Sequence, residues 1–333
     1  MEHFPVVVKD LTTNRDYSDI PDFMERFARV LHYTVPNGKK VRGLTTLITY
    51  KMLEKPENLT KENISLANIL AWCAELLESS ILIVDDIVDR SETRRNGPCW
   101  YKIDGVGERA VLDAFILHDS LHFLLKKYFS SHPFYVPMVE LFIRTNLDTA
   151  IGQIMDTRMP KLEHITMERF STITKYKTGY YTFWFPVTLG MYFSRVFSDE
   201  LHQQVTPILL EMGKFFQIQN DYTDCFGDSS VTGKKGTDIQ EGKITFLSVT
   251  AVEKANCHQR KILEEHFGKP SDESVREVLT LYKQLGVPNA VKEYEQQSII
   301  KISEQIKQLR NQSVSNLLSM LTDKLYTRFT IKI

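Results

Sequence analysis

"ILIVDDIVDRSETRR", residues 81–95, runs four apolar residues into three aspartates and then a pair of adjacent arginines. Upstream, "LANILAWCAELLESS" (residues 66–80) is apolar on most faces. A helix of that kind belongs in the middle of a helical assembly, not on its surface. The aspartates therefore fall at the end of a buried helix, where uncompensated carboxylates are costly and cations must be supplied. Asp85 and Asp89 are spaced i, i+4, so they share one helical face. A second stretch, "FFQIQNDYTDCFGD" (residues 215–228), repeats the plan. There Asn220, Asp224 and Asp228 are spaced i, i+4, i+8, with Asp221 beside Asn220.

Helical periodicity dominates the chain between these stretches. Apolar residues recur at i, i+3, i+4 and i+7 over 60–89, 106–128, 137–157, 166–185, 199–226 and 290–328, and alternating strand patterns are nearly absent. The glycines and prolines fall mostly between those segments, and Pro186 is expected to kink or end its helix. No linker or low-complexity stretch divides residues 1–333, so the expectation is an all-α single domain of roughly ten or more helices. The aromatic run Tyr180, Tyr181, Phe183, Trp184 and Phe185 could present π faces to a cation, although aromatic residues at this spacing more often form plain core.

The composition narrows the function classes. Lys plus Arg total 41 against 42 for Asp plus Glu, which leaves no global field for nucleic acid or an anionic membrane. Four scattered cysteines without a CxxC pair read as reduced thiols, which points to a cytoplasmic protein. No uninterrupted apolar run reaches membrane-spanning length.

Two opposed sets of carboxylate oxygens suit hard divalent ions, Mg2+ above all, which keep waters and accept phosphate oxygens. The basic residues extend that chemistry. Arg94 and Arg95 follow the first acidic set, and Lys177 lies in "KYKTGYYTFWFP" (175–186). Lys234, Lys235 and Lys243 lie in "VTGKKGTDIQEGKITF" (231–246), and "VPNGKKVRG" (35–43) carries Lys39 and Arg42 at a helix start. Together they suit a diphosphate bridged by Mg2+ and clamped by Lys and Arg.

These motifs carry a resemblance. "NGKKVRG", "DDIVDRSETRRNGPCWY", "IGQIMDT", "KYKTGYY", "FFQIQNDYTDCFGD" and "VTGKKGTDIQEGK" occur in the order found in trans-isoprenyl diphosphate synthases, and the chain most resembles the animal farnesyl diphosphate synthases. The resemblance implies an isoprenoid synthase fold, a barrel of helices around a deep central pocket, and a homodimer. It implies three Mg2+ ions, with Mn2+ as an acceptable substitute, that hold a prenyl diphosphate and trigger its ionisation. On this basis Asp85 and Asp89 are expected metal ligands supported by Asp86, with Asn220, Asp221, Asp224 and Asp238 forming the second metal set. Arg94, Lys177 and Lys234 would hold the allylic diphosphate; Lys39, Arg42 and Arg95 would hold isopentenyl diphosphate. Gln217 and the carbonyl near Thr178 would face the carbocation.

Four departures from the family pattern bear on the reaction. Asn220 opens the second motif where the family carries aspartate, so a metal there gains oxygen without formal charge. Glu78 stands where farnesyl synthases carry glutamine near isopentenyl diphosphate; an ionised carboxylate at about 4–6 Å costs roughly 3–4 kcal/mol per charge pair at an effective dielectric near 20. Ser80 and Ile81 replace two aromatic residues below the first aspartate, which enlarges the expected pocket. Asn37 and Thr223 are milder changes. Intact ionisation machinery beside an impaired second site gives the leading expectation: a class I terpene synthase, of the converted type known in insects, that releases a sesquiterpene from farnesyl diphosphate. The alternative is a prenyl elongase making farnesyl or geranylgeranyl diphosphate, and retention of Lys39, Arg42 and Arg95 speaks for it.

Overall fold

The computed structural model describes residues 3–13, 19–156, 161–227 and 236–329. Its elements run α1 (Phe4–Thr12), α2 (Pro21–Thr34), α3 (Val41–Leu53), α4 (Lys61–Val88), a short hairpin β1 (Thr93–Arg94) and β2 (Gly97–Pro98), α5 (Ala110–Phe129) and α6 (Tyr135–Asp156). Next come α7 (Met167–Thr174), a π-helical segment (Lys175–Trp184), α8 (Phe185–Phe193) and α9 (Asp199–Phe226). The chain finishes with α10 (Phe246–Lys254), α11 (Cys257–His266), α12 (Asp272–Gln284), α13 (Val287–Lys307) and α14 (Gln312–Phe329). The all-α expectation holds: the only sheet among the described residues is the two-stranded hairpin. The chain divides into two compact units, residues 1–147 with 182–203 and residues 148–181 with 204–333.

In the first unit α4 is the central helix. Thr60 caps it by accepting from the Asn63 N–H, and nearly every residue from Ala67 to Ser80 is buried. It packs against α3 and α5, and α3 packs in turn on α8. Trp72 fills the core against the Phe4 ring, 4.7 Å away, and Phe142 meets Phe185 edge-on at 4.9 Å. By length and composition alone α4 could cross a membrane, contrary to the sequence reading, but 83% of its apolar window is buried within the protein. Helix α3 touches α8 backbone to side chain: a Cβ at Gly190 would lie 2.6 Å from Thr49 Cβ and 3.0 Å from the Thr46 carbonyl.

In the second unit α10, α12 and α13 enclose a core of Phe170, Ile218, Leu247, Tyr282 and Val291. The expected helix over 290–328 is two helices. Asn311 accepts from the Val314 N–H and so starts α14 with a side-chain cap. The segment 166–185 is likewise split, since its ordinary helix gives way to ten π-helical residues at Lys175. The π-helical segment ends at Trp184, just before Pro186. Pro186 falls in the first turn of α8, where a missing N–H is harmless. Of the aromatic run Tyr181, Phe183 and Phe185 are buried, whereas Tyr180 and Trp184 are half-buried. Cys73, Cys99, Cys225 and Cys257 are free thiols.

Gly190→Ala is expected to force α3 and α8 apart and lower stability by about 1–3 kcal/mol, read from chemical denaturation; an unchanged midpoint would show that the contact relaxes freely.

Candidate active site

The carboxyl end of α4 places Asp85, Asp86 and Asp89 where helix carbonyls already concentrate negative charge. The hairpin supplies the compensation. Arg94, on β1, donates from Nη2 to Asp85 Oδ2 at 3.0 Å and to Asp86 Oδ1 at 2.5 Å, with Nε to Asp86 Oδ1 at 2.8 Å. Burial pushes the Asp86 carboxyl up and Arg94 opposes that shift. The guanidinium itself, held by both acids, is raised above its usual value despite its burial. The hairpin turn is Arg95 and Asn96, both with positive φ (55° and 65°), the two-residue geometry that suits right-twisted strands. Arg95, strained for a non-glycine residue, is fastened by donation from Nη1 to the Thr34 carbonyl. It also lies over Gly38, where any Cβ would sit 2.5–2.9 Å from the guanidinium.

A second ion pair lies further back along α4. Arg42 Nε meets Glu78 Oε2 at 3.0 Å, its Nη1 donates to Glu78 Oε1 at 3.3 Å and its Nη2 to Thr182 Oγ1 at 2.8 Å. Glu78 thus meets a cation in this structure. Glu75, one turn back, accepts from the Gly43 N–H at 2.8 Å. Burial, with Glu78 adding to it, pushes the Glu75 carboxyl up to about 7. Lys39 is exposed just ahead of α3. Ser80 is buried and donates to the Leu77 carbonyl at 2.8 Å, while Ile81 packs on the core. A cavity of about 170 Å3 in the same unit is lined by Leu82, Ile83, Arg94, Arg95 and Trp100 among others.

The second unit carries the other half of the expected constellation. Thr178 Oγ1 donates to Gln217 Oε1 at 2.7 Å, and Gln217 Nε2 donates to Asp221 Oδ1 at 2.7 Å. Asp221 Oδ2 accepts from the Phe246 N–H at 3.3 Å. Burial raises the Asp221 carboxyl to about 7 against those two hydrogen bonds. Both of its oxygens are thus committed within the fold, and it fixes the Gln217 side chain. Asp224 Oδ1 accepts from the Asp238 N–H at 3.0 Å, and Asn220 is half-buried on the same helix. Lys177 pairs with Asp156 at 2.5 Å, and Lys243 pairs with Glu241 at 2.9 Å and Asp238 at 3.7 Å. Asp228, Lys234 and Lys235 lie outside the described residues.

Among the described residues no group of three or more His, Cys, Asp or Glu side chains converges as a metal cage. The donor chemistry nonetheless fits Mg2+, which needs only one or two carboxylates beside waters and phosphate oxygens. Asp85, Asp89 and Asp224 are only partly buried, so a hydrated ion can reach them.

Sequence reasoning missed the partners that hold these cations. Asp156 and Thr182 sit in or beside the basic and acidic motifs, yet pairing with Lys177 across 21 residues or with Arg42 across 140 leaves no local signal. It also missed Gly152 and Gly213. A Cβ on Gly152 would lie 2.2 Å from the Lys177 backbone nitrogen, and one on Gly213 would lie 2.6 Å from Gly179 Cα. These glycines let α6 and α9 press against the π-helical segment and so fix Lys177 and Thr178.

Glu75 gives a pH signature. Its folded-state pKa is raised from 4.5 to about 7, so the fold prefers the neutral acid. That contribution is complete below about pH 4.5 and is lost as pH rises through about 7. Glu75→Gln should therefore be more stable than the parent at pH 8, by about 1–3 kcal/mol, with the gap closing toward pH 5. An equal gap at both pH values would mean that Glu75 does not titrate there.

A polyprenyl synthetase family model matches residues 24–285. The chain is 42% identical over 331 residues to the farnesyl pyrophosphate synthase of Murgantia histrionica, covering 98% of this chain and 81% of that one. It is 40% identical to the farnesyl pyrophosphate synthase of Gallus gallus, covering 98% and 90% of the two chains. Against that of Homo sapiens it is 39% identical over 314 residues, covering 92% and 75%.

Proposed function

This chain belongs to the polyprenyl synthetase family, and we propose that it is an Mg2+-dependent prenyl elongase that condenses an allylic diphosphate with isopentenyl diphosphate. The likeness to farnesyl pyrophosphate synthases of an insect, a bird and a mammal along nearly the whole chain is the observation that carries this reading. That likeness favours elongation over the terpene synthase expected from the sequence departures.

In this reading Asp85 and Asp89, with Asn220 and Asp224, offer oxygens to Mg2+, which when bound supplies charge that stabilises the departing diphosphate. Arg94 and Lys177 turn from their internal carboxylates to diphosphate oxygens, joined by Lys234. Thr178 and Gln217, locked to each other and to Asp221, present oxygen dipoles to the allylic carbon as positive charge develops there. Lys39, Arg42 and Arg95 bind the second diphosphate. Residues 1–333 form one catalytic domain in this reading, and the enzyme works in the cytoplasm. It is also a homodimer: Leu112, Phe115 and Phe123 on α5 and Val136, Ile143 and Leu147 on α6 are exposed apolar residues that a second copy would cover.

A second reading, ionisation without condensation, is favoured by one observation: Glu78 already holds Arg42. The two readings separate by products. Purified protein with Mg2+, geranyl diphosphate and isopentenyl diphosphate should yield longer prenyl diphosphates, and Asp85→Ala should yield none. A volatile sesquiterpene from farnesyl diphosphate alone, with no elongated product from the mixture, would select the terpene synthase instead.

A further inference from the structure

The two arginines assigned to the second diphosphate are both engaged within the first unit, one by a carboxylate and the other by a carbonyl. Arg95 is fastened to the Thr34 carbonyl and lies over Gly38. Arg42 is held at three points: Glu78 Oε1 accepts from Nη1, Oε2 lies in ion-pair contact with Nε, and Thr182 accepts from Nη2. The side chains of Arg42 and Glu78 are 13% and 9% exposed, so water screens the pair weakly. A carboxylate that turns both oxygens to a guanidinium takes the place that two phosphate oxygens would take. Thr182, buried, fixes the direction of that fork. Glu75 adds a second acid beside Glu78 and is anchored separately, to the Gly43 N–H at the start of α3.

From this geometry we propose that Glu78 is a specificity-determining residue: it occupies Arg42 as an internal stand-in for a diphosphate, so a homoallylic diphosphate binds only by displacing it. The inference rests on the proposed reading that this chain acts on prenyl diphosphates at two positions. Repulsion between Glu78 and a diphosphate is then one part of its effect, and competition for Arg42 is the other. A glutamine at 78 has the same length and keeps a hydrogen bond to Arg42, but it surrenders the charge that makes the pair tight. An aspartate keeps the charge and is one methylene shorter, so it reaches Arg42 poorly.

The test is equilibrium binding of isopentenyl diphosphate to the purified full-length protein by titration calorimetry, with circular dichroism as the check on folding. Glu78→Gln should bind at least ten-fold tighter than the parent, and Glu78→Asp should be tighter by a smaller factor. Unchanged or weaker binding in a folded variant overturns the proposal. Should Glu78→Gln fail to fold, Glu78→Asp decides: affinity equal to the parent or weaker overturns it. The KM for isopentenyl diphosphate should fall in Glu78→Gln relative to that for the allylic diphosphate, a split that a general structural defect would not produce. Tighter binding without elongated product would leave the Glu78 role standing and remove the elongase reading. Elongated product without tighter binding would do the reverse.

Discussion

Carboxylates at the carboxyl end of a buried helix are the constraint on which this site depends. Asp85 and Asp86 gain nothing from the α4 dipole and lose solvation by sitting there, so a cation must meet them. Arg94 does so from the hairpin. The same solution recurs with Arg42 on Glu78, Lys177 on Asp156 and Lys243 on Glu241. Removing one member of such a buried pair costs about 3–5 kcal/mol, whereas exchanging partners need not. At the Arg94 pair the Asp85 carboxylate is chemically suited to a metal ion and the guanidinium to a phosphate, so a metal–diphosphate complex can take both sides of that pair at once.

Backbone geometry does the remaining positioning. A π-helical stretch is uncommon and recurs at functional sites; here it holds Lys177 and Thr178 with glycines of α6 and α9 in backbone contact with it. Arg95 is similarly strained into a positive φ at the hairpin turn. Both features place a polar group where regular secondary structure would not.

The fold class was legible because period-3.6 patterning over segments such as 60–89 and 199–226 needs no tertiary knowledge. The break between α13 and α14 was not, since it depends on one asparagine cap within an otherwise periodic run. The acids of α4 and α9 and the basic motifs could be read from spacing and order. Their partners could not. Nothing local links Arg42 with Glu78, 36 residues apart. The resemblance gives Asp221 to the second metal set; its hydrogen bonds with Gln217 and the Phe246 N–H have no signal in the sequence.

The most direct measurement of the central claim is calorimetric binding of inorganic diphosphate with and without Mg2+. If the carboxylates receive metal while the released cations receive phosphate, affinity should rise at least ten-fold when Mg2+ is present. Equal affinity in the two conditions would mean that the basic residues bind the anion alone, and the account of paired exchange would be wrong.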